Sequence, residues 1–356
     1  MNKQNNNDKL SQIYSNNIKC EIKNNSSKSF LFIIFLIFIL SINYINLTSK
    51  KINLTLKKNK VTFEKYETNV YNDIKNKLIK TNCSLMWGNQ KEFINGIVRN
   101  YRPKKIIELG VKYGGSSIVL LNAIKDIENS HLYSIDINTK QEIGVCVEKH
   151  FPFLSNKWTL FKGDIAAKYM KKIGKNIDLA MIDTSHFEPG EILDFLMILP
   201  FLKEESIVIF HDIDNQITFT KGKDMRHEWA PYIIFNLIRG EKYLPLGSGV
   251  LNKDIGAIKL EKNQRRFVHD YCRALGGQWE YFPPKNQIKT ILKYFKKYYD
   301  KQCYTILKET ISFNRIFVKN NPKENFYIQL LKRSKNSKKN HTMFKVKNRH
   351  SIFPIY

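Results

Sequence analysis

The sequence predicts a doubly wound α/β domain with a mostly parallel sheet over residues 85–260. Two observations predict this class: short runs of β-branched and aliphatic residues alternate with segments of helical periodicity, and most of the runs end at or next to an acid. Strands that alternate with helices form βαβ units, whose parallel sheet is covered on both faces.

Six strands follow from the apolar runs, and the helical pattern between them is clearest at 116–127 and 191–204. The strands are expected at residues 104–110, 131–137, 158–164, 177–184, 206–213 and 254–260. In open α/β sheets a ligand binds beyond the carboxyl ends of the strands, beside the point where the strand order reverses. The residues at these ends are therefore the candidate site residues: Glu108, Gly110, Asp136, Asp164, Asp183, His211 and Asp212.

The net charge of +27 belongs to the flanks of this domain. Residues 101–260 contain 21 Lys and Arg against 20 Asp and Glu, whereas residues 1–100 contain 16 against 6 and residues 261–356 contain 22 against 6. A basic flank attracts anionic lipid, acidic glycan or nucleic acid by the same Coulomb attraction, so the charge names no partner. A solvated, disordered tail is the alternative interpretation.

Five segments flank the domain, and one of them, the apolar stretch 29–47, is described separately below. Residues 1–28 are predicted to be a disordered polar tail, 48–84 a basic stem that becomes helical, 261–320 a basic helical extension and 321–356 a basic tail. The extension contains an amphipathic helix over 287–311, which either lies on an anionic membrane surface or packs on the domain.

Residues 29–47 contain no charged side chain and are predicted to form a transmembrane helix or signal anchor. At about 1.5 Å per residue they reach across a hydrocarbon layer of about 30 Å. A cleaved signal peptide and a buried core helix are the alternatives. Six Lys follow the segment closely and four precede it, which places the catalytic domain of a single-pass protein in the cytoplasm.

The five cysteines are widely spaced and form no C-x-x-C pair. This pattern predicts neither a zinc site nor a disulfide framework and favours a reducing compartment.

The first strand runs into a glycine-rich turn ahead of a helix, with Glu108, Gly110, Gly114 and Gly115 in an E-x-G-x-x-x-G-G pattern. Glycines let the backbone approach a ligand, and a helix N-terminus offers free N–H groups. The spacing differs from the G-x-G-x-x-G dinucleotide pattern, which argues against a dehydrogenase. Asp136, at the end of the second strand, suits the two hydroxyls of a ribose, and Asp164 suits the exocyclic amine of a base. Helix capping and ordinary turn acids are the alternatives.

With these motifs in this order, residues 85–260 resemble the class I S-adenosylmethionine-dependent methyltransferases. The resemblance implies a Rossmann-like methyltransferase sheet and S-adenosylmethionine as the cofactor. It further implies that Glu108 and the turn from Gly110 to Ser116 line the methionine part, that Asp136 holds the ribose, and that Asp164 meets the adenine.

A second pair of motifs lies at the fourth and fifth strand ends: D-x-x-H, with Asp183 and His186, and H-D, with His211 and Asp212. In combination they resemble a narrower group that includes macrolide-sugar and rhamnosyl O-methyltransferases and cephalosporin-hydroxylase-like proteins. If the two strands are neighbours, about 4.8 Å apart, Asp183 and Asp212 end side by side, and two adjacent carboxylates repel unless a proton or a cation separates them.

The resulting hypothesis is a Mg²⁺ ion on Asp183 and Asp212, with His211 as a further ligand or as a residue that orients one. His186 is then the general base beside Asp183. His211 stands where relatives commonly have a carboxylate, so a softer ion or no ion is an alternative. Purely structural roles, with His186 capping a helix and His211 packing at a strand end, are another.

The function predicted from these features is a membrane-anchored O-methyltransferase that acts on a hydroxyl of a glycan, a sugar or another polar small molecule. The alternatives are a metal-dependent, hydroxylase-like enzyme on the same fold and a non-enzymatic, membrane-tethered binding module. Nucleic acid is not expected as a partner, because D-T-S-H stands where enzymes that methylate base amines carry an Asn- or Asp-Pro-Pro-aromatic motif.

Overall fold

The computed structural model describes residues 62–214, 229–246 and 254–320. Within them, seven strands form one sheet in the order β3-β2-β1-β4-β5-β7-β6. The strands are β1 Lys105–Leu109, β2 His131–Asp136, β3 Trp158–Lys162, β4 Ile177–Ile182, β5 Leu202–His211, β6 Gly240–Tyr243 and β7 Ile255–Leu260. The first five strands pair in parallel, and β7 pairs antiparallel with both β5 and β6. The α/β class and the parallel arrangement predicted from the sequence are confirmed.

Ten α-helices accompany the sheet in the described residues. They are α1 Thr68–Thr81, α2 Gly88–Tyr101, α3 Gly115–Ala123, α4 Val145–His150, α5 Ala166–Ile173, α6 Gly190–Ile198, α7 Ala230–Leu237, α8 Val268–Arg273, α9 Lys285–Tyr298 and α10 Lys301–Asn320. Short 3₁₀ turns at Phe63–Lys65, Pro152–Lys157, Leu199–Phe201, Gln264–Phe267 and Ala274–Gly276 complete the fold.

The strand order reverses beside β1, which lies between β2 and β4. The glycine-rich turn follows β1, and the D-x-x-H segment follows β4. Both segments therefore leave the sheet at the crevice where α/β proteins bind ligands. Strands β4 and β5 are direct neighbours, with Ile182 opposite Phe210, as the sequence analysis assumed.

The two hydrophobic cores are completed by different parts of the chain. Phe63, Tyr71 and Leu78, from the predicted stem, are buried in one hydrophobic core. Phe295 and Leu307, from the predicted extension, are buried in the other. Of the two alternatives for the extension, packing on the domain is therefore the one observed. Burying such large apolar side chains contributes about 1.5–3 kcal/mol each relative to leaving them exposed.

Two disulfides join four of the five cysteines, and the prediction that the chain has no disulfide framework was wrong. Cys83 bonds to Cys146, 63 residues further along the chain, and Cys272 bonds to Cys303, 31 residues away. The cysteines of each pair are far apart in the sequence and meet only in the folded chain, so their spacing does not predict the pairing. Disulfides persist in oxidising environments, so the expectation of a reducing compartment loses its basis.

The prediction of a single-pass membrane protein with a cytoplasmic domain is corrected for the described part of the chain. No helix there combines the length and apolar character that are needed to cross a bilayer. The segment on which the prediction was based, 29–47, lies outside the described residues.

Candidate active site

The turn after β1 requires glycine because a neighbouring strand end is in contact with it. Gly110 has a φ of +84° and Gly114 a φ of +92°. A Cβ on Gly110 would lie 1.8 Å from the backbone oxygen of Asp183, far inside van der Waals contact. The turn therefore touches the backbone of the D-x-x-H segment before α3 begins at Gly115.

Asp136 closes β2 and holds this turn through its carboxylate. Its Oδ2 accepts hydrogen bonds from the N–H groups of Val111, at 3.0 Å, and Lys112, at 3.1 Å. Its Oδ1 accepts one from the N–H of Asn138, at 2.8 Å. Asp136 therefore lies beside the turn and fixes its backbone, and its contact with a ribose stays a prediction.

Glu108 is completely buried, and three serine hydroxyls donate to its carboxylate. Ser116 donates to Oε1, and Ser117 and Ser134 donate to Oε2, each at 2.6 Å. Burial raises the pKa of Glu108 to about 7, although the three hydroxyls favour the ionised form. Glu108 and Ser116 thus tie the start of α3 to β1 and β2, and contact with the cofactor itself stays a prediction.

Asp164 follows Gly163, whose φ of +92° turns the chain at the end of β3. Its Oδ2 forms an ion pair with Lys168 Nζ at 2.7 Å, and its Oδ1 accepts from the N–H of Ile165 at 2.9 Å. The carboxylate of Asp164 thus already has partners at the start of α5, and its contact with adenine stays a prediction.

Four charged side chains meet where β4 and β5 end. His186 Nε2 lies 2.8 Å from Asp212 Oδ2 and 3.6 Å from Asp183 Oδ1. His211 Nδ1 lies 3.0 Å from Asp212 Oδ2 and 3.9 Å from Asp183 Oδ1. Asp212 has a φ of +55°, a conformation that is uncommon for residues other than glycine. The sequence analysis placed all four in one site, and the fold brings them together.

Attraction between these groups outweighs the cost of burying them. Burial alone disfavours the charged imidazole, but Asp212 and Asp183 raise the pKa of His186 well above its ordinary value. The same carboxylates raise the pKa of His211 to about 10. Burial by itself would raise the pKa of Asp212, yet the two imidazoles hold it well below its usual range. These shifts favour protonated, positively charged imidazoles beside an ionised Asp212 carboxylate.

Asp183, His186 and Asp212 can each offer one ligand atom to a metal ion, and these atoms lie within 4.8 Å of one another. The predicted ligand set, Asp183, His211 and Asp212, named His211 in place of His186, and it stays a prediction. His211 lies next to the group, and its buried Nε2 has no hydrogen-bond partner among the described residues. Two carboxylates and one imidazole suit a borderline divalent ion such as Mn²⁺ better than Mg²⁺, which prefers oxygen ligands.

Sequence reasoning missed two acids of α6 that support the D-x-x-H segment from behind. Glu191 is fully buried, and its Oε1 accepts from the N–H of Thr184 at 3.1 Å. The Thr184 hydroxyl donates to Asp194 Oδ2 at 2.6 Å. Burial raises the pKa of Asp194 to about 6 and that of Glu191 well above its ordinary value. Glu191 lies in the first turn of α6, where an acid usually interacts with the helix dipole, and nothing in the sequence distinguishes it from such an acid.

Asp254, just before β7, is a further member of the site that was read as part of a strand. It is buried, and its Oδ1 accepts from the N–H of Asp214 at 3.0 Å. Burial, followed by the nearby carboxylate of Asp212, raises the pKa of Asp254 to about 8. Because β7 runs antiparallel to β5, the start of β7 lies beside the carboxyl end of β5. This neighbourhood cannot be predicted without knowing the strand order.

Two other elements hold the segment that carries His186. The N–H of Ala230, the first residue of α7, donates to the backbone oxygen of His186 at 3.1 Å. The N–H of Glu280 donates to Glu188 O, and Glu188 N–H donates to Glu280 Oε2, both at 2.9 Å. The C-terminal extension is thus in contact with the site segment itself.

Comparison with known proteins agrees with this geometry. Residues 107–213 match the family model of a methyltransferase domain, less than a third of the chain but the part that carries the glycine-rich turn and both strand-end motifs. This match agrees with the resemblance to the class I S-adenosylmethionine-dependent methyltransferases over the part of the chain that carries those motifs. The narrower subgroup with D-x-x-H and H-D motifs stays a prediction. No match is found among curated proteins.

Several solved structures are similar to this chain at low identity. An O-methyltransferase from Bacillus cereus in complex with S-adenosylhomocysteine is 14% identical with a TM-score of 0.42, over 54% of this chain and 90% of its own. The O-methyltransferase TomG from Streptomyces achromogenes, involved in tomaymycin synthesis and in complex with S-adenosylmethionine, is 14% identical with a TM-score of 0.40, over 49% and 81%. A Podospora anserina methyltransferase bound to S-adenosylhomocysteine is 15% identical with a TM-score of 0.40, over 60% and 96%. We carry none of their substrates over to this chain.

Proposed function

We propose that this methyltransferase transfers the methyl group of S-adenosylmethionine to a hydroxyl oxygen of a sugar or another polar small molecule. The observation that carries the proposal is the His186 imidazole, held 2.8 Å from Asp212 Oδ2 at the end of β5, next to the crevice that receives the methyl donor. A hydroxyl is a weak nucleophile until its proton is removed, and an imidazole in this position can accept that proton.

In the proposed reaction, the hydroxyl oxygen attacks the methyl carbon of the sulfonium. A new O–C bond forms, the C–S bond breaks, and its electron pair stays on sulfur, which leaves S-adenosylhomocysteine. The hydroxyl proton passes to the neutral imidazole of His186, and the carboxylate of Asp212 stabilises the imidazolium that forms. Glu191 and Asp194 keep the segment in place through Thr184, so the main contribution of the protein is to align oxygen, methyl carbon and sulfur.

Asp183 and Asp212, with His186 beside them, fit a divalent cation by charge and spacing. Such an ion would neutralise the two carboxylates that keep His186 protonated and would lower the pKa of the acceptor hydroxyl. As the proton acceptor, His186 would not be a ligand, so the ion would be held by Asp183 and Asp212, oxygen donors that suit both Mg²⁺ and Mn²⁺.

The acceptor class is supported by the polarity of the site and by an aromatic side chain at its border. Trp229 is 41% exposed and precedes Ala230, the residue that is hydrogen-bonded to His186. Its ring packs edge-on against Tyr232, with 5.9 Å between the centroids. An exposed indole offers an apolar face to the C–H groups of a sugar ring, while carboxylates and imidazoles receive the hydroxyls.

The test measures formation of S-adenosylhomocysteine with a panel of mono- and disaccharides and small polar alcohols, with Mn²⁺, Mg²⁺ or a chelator. We expect His186→Gln to lower kcat by about 10²- to 10⁴-fold. Its affinity for S-adenosylmethionine, measured by calorimetry, should be unchanged. His269→Gln, at a partly exposed histidine that pairs with Asp300, is the matched control.

Full turnover by folded His186→Gln would remove the proposed base. Methylation of an amine or a thiol, but no hydroxyl, would replace the proposed acceptor. If Trp229→Ala leaves KM for the acceptor unchanged, the indole has no part in recognition.

A further inference from the structure

The Cys83–Cys146 disulfide borders the glycine-rich turn that the methyl donor needs. Cys83 lies between α1 and α2, and Cys146 is the second residue of α4. Their Cα atoms are 5.9 Å apart, and both residues are buried. The bridge therefore connects the segment that precedes the domain core to a helix that follows β2.

Each half of the cystine lies next to one end of the turn. On one side, the N–H of Cys146 donates to Tyr113 O at 3.0 Å, and the neighbouring Gly144 N–H donates to Lys112 O at 2.7 Å. On the other side, a Cβ on Gly115 would lie 2.5 Å from the backbone oxygen of Cys83. The bridged segments thus hold the turn between them through backbone contacts.

The packing leaves little room for the turn to move. A Cβ on Gly114 would lie 3.0 Å from Val147 Cγ2, in the same helix as Cys146. The N–H groups of Val111 and Lys112 are held by Asp136. A turn fixed in advance binds its ligand more tightly, because less conformational entropy is lost on binding.

We propose that the Cys83–Cys146 disulfide is a positioning element for the methyl donor. It holds the turn 110–115 in the conformation that receives S-adenosylmethionine, and opening the bridge lowers the affinity for this ligand. The proposal rests on the cofactor assignment made above. The Cys272–Cys303 disulfide joins α8 to α10 and, in the described residues, is on neither element that borders the turn. It is therefore an internal control.

The bridge is opened by a dithiol such as dithiothreitol. The S–S bond breaks and two cysteine thiols form, while the reductant supplies two electrons and two protons and becomes a cyclic disulfide.

The test is calorimetric titration of S-adenosylhomocysteine, the unreactive product, into the full chain. The double variant Cys83→Ser/Cys146→Ser is compared with Cys272→Ser/Cys303→Ser, and Cys20→Ser is included in every protein so that no free thiol exchanges with the bridges. We expect Kd to rise about tenfold or more in the first variant and to stay within about twofold in the second. KM for S-adenosylmethionine should follow Kd, with kcat at saturation little changed.

Hydrogen exchange adds a readout that does not depend on turnover. The amides of the turn should exchange faster only when the Cys83–Cys146 bridge is open. If the first variant does not fold, dithiothreitol added to the Cys272→Ser/Cys303→Ser protein opens the same bridge without changing Cys83 or Cys146, and affinity should fall there too.

Unchanged affinity in a folded protein whose Cys83–Cys146 bridge is open overturns the proposal. An equal loss in both double variants also overturns it, because it would mean a general loss of stability. If the protein with both bridges intact binds neither S-adenosylmethionine nor S-adenosylhomocysteine, the cofactor assignment fails and takes this proposal with it.

Discussion

The two ends of the candidate site are built on opposite principles. At the β1–β2 end, the carboxylates of Glu108 and Asp136 are saturated by neutral donors, namely serine hydroxyls and backbone N–H groups. At the β4–β5 end, two imidazoles and two carboxylates face one another, and His211 Nε2 is buried without a hydrogen bond in the described structure.

Under the proposed function, this difference separates binding of the methyl donor from the chemical step. The saturated end is preorganised and needs only its ligand, whereas the charged end contains groups whose protonation changes as the reaction proceeds. Substitutions at the first end should therefore act on stability and cofactor affinity, and substitutions at the second end should act on kcat.

The largest effect is expected where the two ends touch. Gly110→Ala places a Cβ 1.8 Å from Asp183 O, at a φ of +84° that alanine rarely adopts. We expect the free energy of unfolding to fall by more than about 3 kcal/mol, measured by urea denaturation. Gly276→Ala, with no atom within 4 Å of the added Cβ, is the control and should stay within about 1 kcal/mol. Equal stability of the two variants would show that the contact between the ends is dispensable.

Glu108→Gln tests whether the saturated end carries a buried proton. Burial raises the pKa of Glu108 from 4.5 to about 7, so the folded protein holds more protons than the unfolded chain between these pH values. Stability is therefore lost as pH rises from 4.5 to 7, by up to about 3 kcal/mol, and Glu108→Gln removes this loss. The measurement is the difference in unfolding free energy between wild type and variant across that range, with exposed Glu309→Gln as the control. A difference that does not change with pH would contradict the prediction.

Asp136→Asn should weaken S-adenosylmethionine binding by about ten- to a hundredfold, because one acceptor oxygen replaces two. Asp178→Asn is a close match for comparison. Asp178 also accepts from two backbone N–H groups, those of Lys104 and Lys105, but it lies near the opposite ends of the strands. Calorimetry of both variants separates a cofactor contact from a general effect on the sheet, and similar losses in both would favour the general effect.

The smallest effect concerns the support behind the charged end. Thr184→Val removes the hydroxyl that donates to Asp194 at 2.6 Å. We expect kcat to fall about five- to tenfold through loss of alignment, with the affinity for S-adenosylmethionine unchanged. Thr290→Val, at an exposed hydroxyl of α9 that donates to Asn286 O, is the control. A change in cofactor affinity in place of kcat would mean that the two ends are not separate in function.

Much of this arrangement could be predicted from the sequence, because it depends on local pattern. Six of the seven strands were placed to within a few residues, and the acids at their ends follow from the rule that ligands bind at carboxyl ends. The exception is β6, whose four residues Gly240–Tyr243 contain one apolar side chain and form a strand only because β7 pairs with them.

What the sequence did not predict depends on distances across the fold. Cys83 and Cys146 are separated by two helices, two strands and the glycine-rich turn, so no spacing rule pairs them. The position of Asp254 depends on an antiparallel last strand. Likewise, His186 joins the possible ligand group in place of His211 because of how the segment after β4 folds back, which residue types alone do not determine.

The packing of the C-terminal extension into one hydrophobic core also bears on how the chain is made. The helices α9 and α10 are synthesised after the rest of this core, yet Phe295 and Leu307 belong to the same core as Phe195 and Phe201. Until these helices leave the ribosome, the nascent chain exposes apolar side chains of the kind that chaperones recognise. Premature termination near residue 260 would therefore release an aggregation-prone fragment, even though the glycine-rich turn and both strand-end motifs would already be present.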